Sequence, residues 1–558
     1  MTNTETLLDN ATTLLSPFAK ATNKPEANRL DVTIATSDLV SAVKTMRDSR
    51  WGYLAAITGL DHLNISAKAG TPTDNSLEAL YHFCDGAAVV TLRTSTPREN
   101  AVLPTICGVT PSADLFEREL SEMFGITIDG TPDANRLLLP DDWPSDVFPL
   151  RKDFDQKAVK LESMAEEPEA GWRDGKFIVP IGPQHPALKE PGFFQFSVDG
   201  ETVTGASIRL GYVHRGIERA TEERNWVQNL YLLERICGIC SHSHAMAYAQ
   251  GVEQLAKVEA PPRAQAIREL AAGLERIHSH LLWLGVAAHE AGFDTLFMYS
   301  WRDRETVMDI LETFTGNRVN YSVNVLGGVK FDMTPEIAET IKRGVDFLEE
   351  RTKHYLEVCT TDRTFLRRTR GVGTLTKDQA IEYGVIGPMA RASGLVRDVR
   401  VEAPYGAYRT FPVSAVTATA GDLEAKFVVR LNELFETYKA IRIILDNLPT
   451  GELTARIPRK IPAGETISRV EAPRGELLYF IQSAGGENPA RVKVRTPSLC
   501  NFSSVLHVAV GHQLADMPML LSGIDPCFSC NDRMIVVNDQ SMMTWEQLRL
   551  YGIEFYQK

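Results

Sequence analysis

Six apolar residues, Ile267, Leu270, Leu274, Ile277, Leu281 and Leu284, recur at alternating spacings of three and four between about 263 and 291. That spacing lays them along one side of an α-helix, whose repeat is about 3.6 residues, and not along a strand. A long helix with one apolar stripe buries it against other helices, so this region predicts a bundle. A second helical pattern covers about 420–446.

The flanking sequence has a different character. Ahead of the bundle, FIVPIGP and FFQFSVDGETVTGASIRLGYV predict a strand pair turning at Asp199-Gly200. The C-terminal stretch returns to short strands and turns. The first 154 residues are mixed: RLDVTIATSDLVSAVKTMRDSRWGYLAAITGLD reads as strand, amphipathic helix, strand, and GAAVVTLRT as another strand. This part passes through ERELSEMFGI and closes in a Pro-, Asp- and Gly-rich tail. Residues 155–176 are acidic and lack apolar periodicity, which predicts a linker. With 558 residues the chain is too long for one ordinary domain. The predicted fold class is α+β: a small α/β N-terminal domain over 1–154, then a large, mainly helical-bundle domain with peripheral β-strands from 177. No internal repeat is visible.

No run of about 18 apolar residues occurs, so no membrane-spanning helix is predicted. The start, MTNTETLLDN, has no secretory signal pattern, which makes the cytoplasm the expected compartment. A formal net charge of −13 argues against nucleic acid as a partner, since phosphates need clustered Lys and Arg.

Chemistry concentrates in the cysteines. Cys237-Gly-Ile-Cys240 and Cys527-Phe-Ser-Cys530 are two C-x-x-C pairs, 290 residues apart. Cysteines at i and i+3 lie on one side of a turn and can share a metal. Thiolates select zinc, iron–sulfur clusters, nickel or copper(I), and spacing alone leaves all four open. Structural zinc is the commonest use of such pairs, although its sites are usually local. A thioredoxin-like redox pair would need a βαβ context, which is missing around Cys237. The other four cysteines, Cys84, Cys107, Cys359 and Cys500, stand alone and read as small buried hydrophobes. His242, His244, His278, His280 and His289 read as hydrogen-bonded partial-core residues rather than ligands.

The surrounding residues narrow the choice. Arg215-Gly-Ile-Glu218 is followed after sixteen residues by Arg235-Ile-Cys237-Gly-Ile-Cys240, and DPCFSCNDR carries the second pair. Glu471-Ala-Pro-Arg474-Gly lies between them. These three motifs resemble the signatures of nickel–iron hydrogenase large subunits, in the same order. PQHP at 183–186, HRGIE at 214–218 and ERIHSHLLWLG at 275–285 are similar to the quinone-site subunit of respiratory complex I. ERELSEMFGI and PLRKDF are similar to the small hydrophilic subunit beside it. The fusion resembles the large subunit of formate hydrogenlyase and related energy-converting (group 4) hydrogenases. The resemblance covers about 30–555.

The resemblance implies reversible proton reduction at a nickel–iron centre whose iron carries carbon monoxide and cyanide. It implies that Cys237 and Cys527 are terminal on nickel and that Cys240 and Cys530 bridge to iron. It makes Glu218 the proton gate, Arg474 the arginine over the metals, Asp525 its partner, and Pro497 and Ser498 the neighbours of a cyanide. A carboxyl group suits the relay because burial raises its pKa toward working pH. Arg533 stands where the family often has a histidine, and the 25 residues from Met534 to Lys558 resemble a tail that a maturation protease removes. The catalytic domain is therefore expected over 177–533 and a C-terminal extension over 534–558. No iron–sulfur cluster is expected in this chain. The implied partners are a small subunit with a proximal 4Fe–4S cluster, further iron–sulfur subunits, antiporter-like membrane subunits and maturation proteins. Through them the chain is expected on the inner face of the cytoplasmic membrane.

Overall fold

The computed structural model describes residues 2–63, 75–155, 157, 159, 171–173 and 175–531. The fold is α+β, as the pattern predicts. The chain begins with α1 (Thr2–Leu15), β1 (Ala19–Glu26), β2 (Arg29–Ile34), α2 (Leu39–Asp48) and β3 (Tyr53–Asp61). The hairpin β4 (Ser76–Asp85) and β5 (Ala88–Pro97) follows, then α3 (Ala113–Phe124). The five strands form one sheet in the order β1-β2-β5-β4-β3, with β2 and β5 parallel and the rest antiparallel. The strand–helix–strand reading over 29–61 corresponds to β2, α2 and β3, but β5 and β4 lie between the two strands.

A second antiparallel sheet contains β6 (Gly171–Arg173), β7 (Lys176–Ile181), β8 (Phe193–Asp199) and β9 (Thr202–Arg209). The β8–β9 turn is Gly200-Glu201, one residue later than the sequence suggests. Gly200 sits at φ 59°, which glycine adopts without strain. Strand β6 falls inside the span read as linker; three residues pairing with β7 are too few to leave an alternation in the sequence. Residues 160–170 of that span lie outside the described residues. So do 532–558, with Arg533 and the expected extension.

Helices then dominate: α4 (Ile217–Glu222), α5 (Trp226–Glu234), α6 (Ser241–Ala256), α7 (Pro262–Glu290), α8 (Asp294–Thr315), α9 (Pro335–Thr361) and α10 (Leu423–Asp446). Pro262 opens α7, where a missing amide proton leaves no helical bond unmade. Thr334 and Asp422 cap α9 and α10 by accepting from the amides of Ile337 and Ala425. All six stripe residues of α7 are at most 1% exposed and pack with Phe427, Leu431 and Tyr438 of α10 and Leu311 of α8. The other face of α7 is buried as well, including Arg268, Glu275, Arg276, His278 and His280. So α7 is the central helix, and its polar face is matched by other polar groups. Arg268 pairs with Glu253 at 2.6 Å, and His280 with Glu433 at 3.0 Å.

The chain then forms β10 (Gly464–Ala472), β11 (Gly475–Ser483) and β12 (Pro489–Arg495) as an antiparallel sheet. Helices α11 (Pro497–Ala509) and α12 (Phe528–Asn531) follow. Three of the lone cysteines are buried as expected. Cys107 is half-buried, and its thiol donates to Glu117 at 3.2 Å, so it is not a plain hydrophobe.

Candidate metal centre

Two turns bring the four paired cysteines together. Cys237 follows α5 and Cys240 immediately precedes α6; Cys527 precedes α12 and Cys530 lies within it. The sulfurs lie close: Cys237 to Cys527 is 3.3 Å, Cys240 to Cys530 is 3.6 Å and Cys527 to Cys530 is 3.1 Å. All four are at most 3% exposed.

Their acidities conflict. Hydrogen bonds from Cys240, Cys527 and Cys530 hold Cys237 well below the ordinary thiol range. Hydrogen bonding to Cys237 pushes Cys240 and Cys527 well above it, with burial adding to the effect, and burial does the same to Cys530. A cation among the sulfurs allows all four to ionise together. The donor set therefore fits a thiophilic metal.

Arg215 ties the two turns to each other. Its guanidinium donates to the carbonyls of Arg235 at 2.9 Å, Ile236 at 2.6 Å and Ser529 at 2.9 Å. Three residues on, Glu218 is 2% exposed and not a surface glutamate. Its Oε2 accepts from Arg491 at 2.7 Å, and its Oε1 from the Val494 amide at 3.0 Å. Both of these donors reach it from β12.

Arg474 and Asp525 meet as a buried pair. Arg474 Nε donates to the Asp525 carbonyl at 2.7 Å and Nη2 to its carboxylate at 2.9 Å. Arg474 Nη1 is buried and has no hydrogen-bond partner among the described residues. Asp525 in turn is drawn below the usual carboxylate range by Arg474 and Lys189, against the opposing effect of burial. It sits at φ 56°, a left-handed conformation that Asp tolerates better than most side chains. Pro497 starts α11, and Ser498 Oγ accepts from the Cys527 amide at 3.2 Å.

Other contacts escaped the sequence reading. His244, read as a core residue, places Nε2 3.5 Å from the Cys530 sulfur, and its Nδ1 is 2.7 Å from the Tyr479 hydroxyl. It stands four residues after Cys240 on α6, the spacing that puts two side chains on one helix face, so this position was legible. Lys189 pairs with Asp525 at 2.8 Å, and Glu190 accepts from the amide and hydroxyl of Ser529. Both lie in the loop after PQHP, and no periodicity marks them. His242, His278 and His280 are buried and hydrogen-bonded, whereas His289 is exposed and paired with Asp294.

Residues 215–285 match the nickel-dependent hydrogenase family. Residues 32–160 match the 30 kDa subunit of respiratory-chain NADH dehydrogenase, and 290–461 and 458–533 its 49 kDa subunit. Formate hydrogenlyase subunit 5 of Escherichia coli is 32% identical over 94% of this chain and 94% of its own length. Membrane-bound hydrogenase subunit alpha of Pyrococcus furiosus is 38% identical over 67% of this chain and 92% of its own. A chain of the archaeal membrane-bound sulfane sulfur reductase aligns with TM-score 0.62 and 31% identity, covering 64% of this chain and 98% of that one. The chain belongs to the family of membrane-bound hydrogenase large subunits, which shares its frame with the 30 kDa and 49 kDa subunits of NADH dehydrogenase. It is an oxidoreductase subunit. No described helix is long and apolar enough to cross a membrane.

Proposed function

We propose that this chain is the catalytic large subunit of a membrane-associated nickel–iron hydrogenase catalysing 2H+ + 2e− ⇌ H2. The observation that carries the reading is the convergence of four sulfurs from turns 290 residues apart, in a chain with a hydrogenase match over the first turn. Cys237, Cys240, Cys527 and Cys530 would hold the nickel, and Cys240 and Cys530 would also reach an iron bearing carbon monoxide and cyanide. When bound, that centre supplies the two-electron exchange between protons and hydrogen.

The protein's part is to position groups and move protons. Glu218 is the gate, and Arg491 and the Val494 amide hold its two oxygens in place. Arg474 keeps two donors on Asp525 and leaves Nη1 for the centre. Ser498 accepts from Cys527, so its own hydroxyl proton is left for a cyanide beside Pro497. Electrons reach the centre from a small subunit with a 4Fe–4S cluster and from further iron–sulfur subunits.

In this reading 1–154 is the complex I-like N-terminal domain, 155–176 a linker and 177–533 the catalytic domain. Residues 534–558 are removed after maturation proteins deliver the metals. Antiporter-like subunits hold the complex on the inner face of the cytoplasmic membrane.

Metal analysis with infrared spectroscopy tests the core of this. Nickel and iron near one each per chain, with carbonyl and cyanide bands, are expected; zinc alone refutes it. The likeness to the sulfane sulfur reductase favours one second reading, sulfur reduction. Sulfide production without hydrogen exchange would select it.

A further inference from the structure

His278 on α7 and Arg304 on α8 have no part in the reaction as described. His278 is 1% exposed. Its Nδ1 faces Arg304 Nε at 3.1 Å and Nη2 at 2.9 Å. A guanidinium only donates, so Nδ1 must keep its lone pair, and the ring proton resides on Nε2. Nε2 therefore donates to the Ile239 carbonyl, 3.1 Å away. Ile239 lies inside the first C-x-x-C turn, and its own amide donates to the Cys237 sulfur at 3.3 Å.

Arg304 is poorly explained as a stabilising ion pair. Its one ion pair among the described residues is a loose contact with Glu305 at 4.0 Å. Burial pushes its pKa down, and its two close donors go to a neutral imidazole. Within the turn it reaches, Gly238 is exposed and offers no side chain to pack.

We propose that Arg304, acting through the single allowed tautomer of His278, positions the Ile239 backbone and so aims the amide that hydrogen-bonds the Cys237 sulfur. Arg304 and His278 are positioning residues for the metal site. The inference rests on the reading of Cys237 as a metal ligand. A hydrogen bond to a ligating sulfur withdraws electron density from it, so this pair tunes how strongly Cys237 donates to a bound metal.

Cobalt(II) binding to the metal-free full-length chain tests this, because cobalt reports thiolate coordination through charge-transfer absorption. Arg304→Leu and His278→Leu are each expected to weaken cobalt binding by about tenfold or more and to shift the band. His278→Gln, which retains one acceptor and one donor, is expected to stay within about twofold of wild type on the same scale. The double leucine variant is expected to be no weaker than either single one. Wild-type affinity and band in Arg304→Leu, failure of glutamine to rescue, or multiplying effects in the double variant would each overturn the proposal. Should the leucine variants not fold, Arg304→Gln, too short to reach Nδ1, replaces them. A displaced band then supports the proposal and an unmoved band sinks it. Cobalt reports any such thiolate site, so a lack of nickel in the native protein would remove the hydrogenase reading and leave this test intact.

Discussion

Glu275, in the middle of α7, accepts from the amides of His242 at 2.7 Å and Ser243 at 3.1 Å, at the start of α6. One turn further along α7, His278 holds Ile239. The first cysteine turn is thus fastened by the central helix of the bundle. The second turn is fastened differently. Lys189 takes Asp525, Glu190 takes Ser529, Ser498 takes the Cys527 amide and Arg215 takes the Ser529 carbonyl. Those four come from three segments remote in sequence. The difference teaches that one half of the metal site is built with the core, while the other half is clamped onto it.

The largest effect tests whether the halves are equal as ligands. Cys237→Ala and Cys527→Ala should both reduce bound nickel to background by elemental analysis. A variant that keeps full nickel would show that its turn is not a ligand turn. Next in size, Glu218→Gln should lower hydrogen–deuterium exchange activity by about 10²-fold or more, with nickel content unchanged. Full activity in that variant would remove Glu218 from the proton route and leave Arg215 as the motif's main contribution.

The clamp itself should yield a smaller, local effect. Glu190→Ala leaves the Ser529 amide and hydroxyl without their acceptor. It is expected to lower the protection of backbone amides in 525–531 by about 1–3 kcal/mol while leaving 237–244 unchanged, as read by hydrogen exchange. Equal loss in both turns would mean that they fold as one unit.

The smallest effect concerns acid. Burial holds His242 neutral, with its pKa lowered from 6.5 to about 3. The unfolded chain takes up that proton near pH 6.5, so the contribution is complete above 6.5 and is lost as pH falls toward 3. The slope for this one group is at most about 1.4 kcal/mol per pH unit. Urea midpoints measured from pH 7 to 5 should fall less in His242→Gln than in wild type.

The same contrast explains what was legible in the sequence. The stripe on α7 and the β2–α2–β3 succession follow from local periodicity, and both are present. The two cysteine pairs were legible because their spacing is chemical. Lys189, Glu190 and Arg491 were not, because each acts on a residue hundreds of positions away and no repeat records that meeting. The buried polar face of α7 was hidden for a related reason. Charged residues on a helix read as a solvated side, and only the paired groups of α6, α10 and β10 show otherwise.

The 290-residue gap between the turns also sets an order in time. At roughly 5–20 residues per second, a ribosome needs on the order of 15–60 s to go from Cys237 to Cys527. Throughout that interval the nascent chain carries the first C-x-x-C pair without the second, a half-site open to whatever thiophilic ion is nearby. Protection of that half-site during translation is therefore a requirement on the cell as much as on the fold.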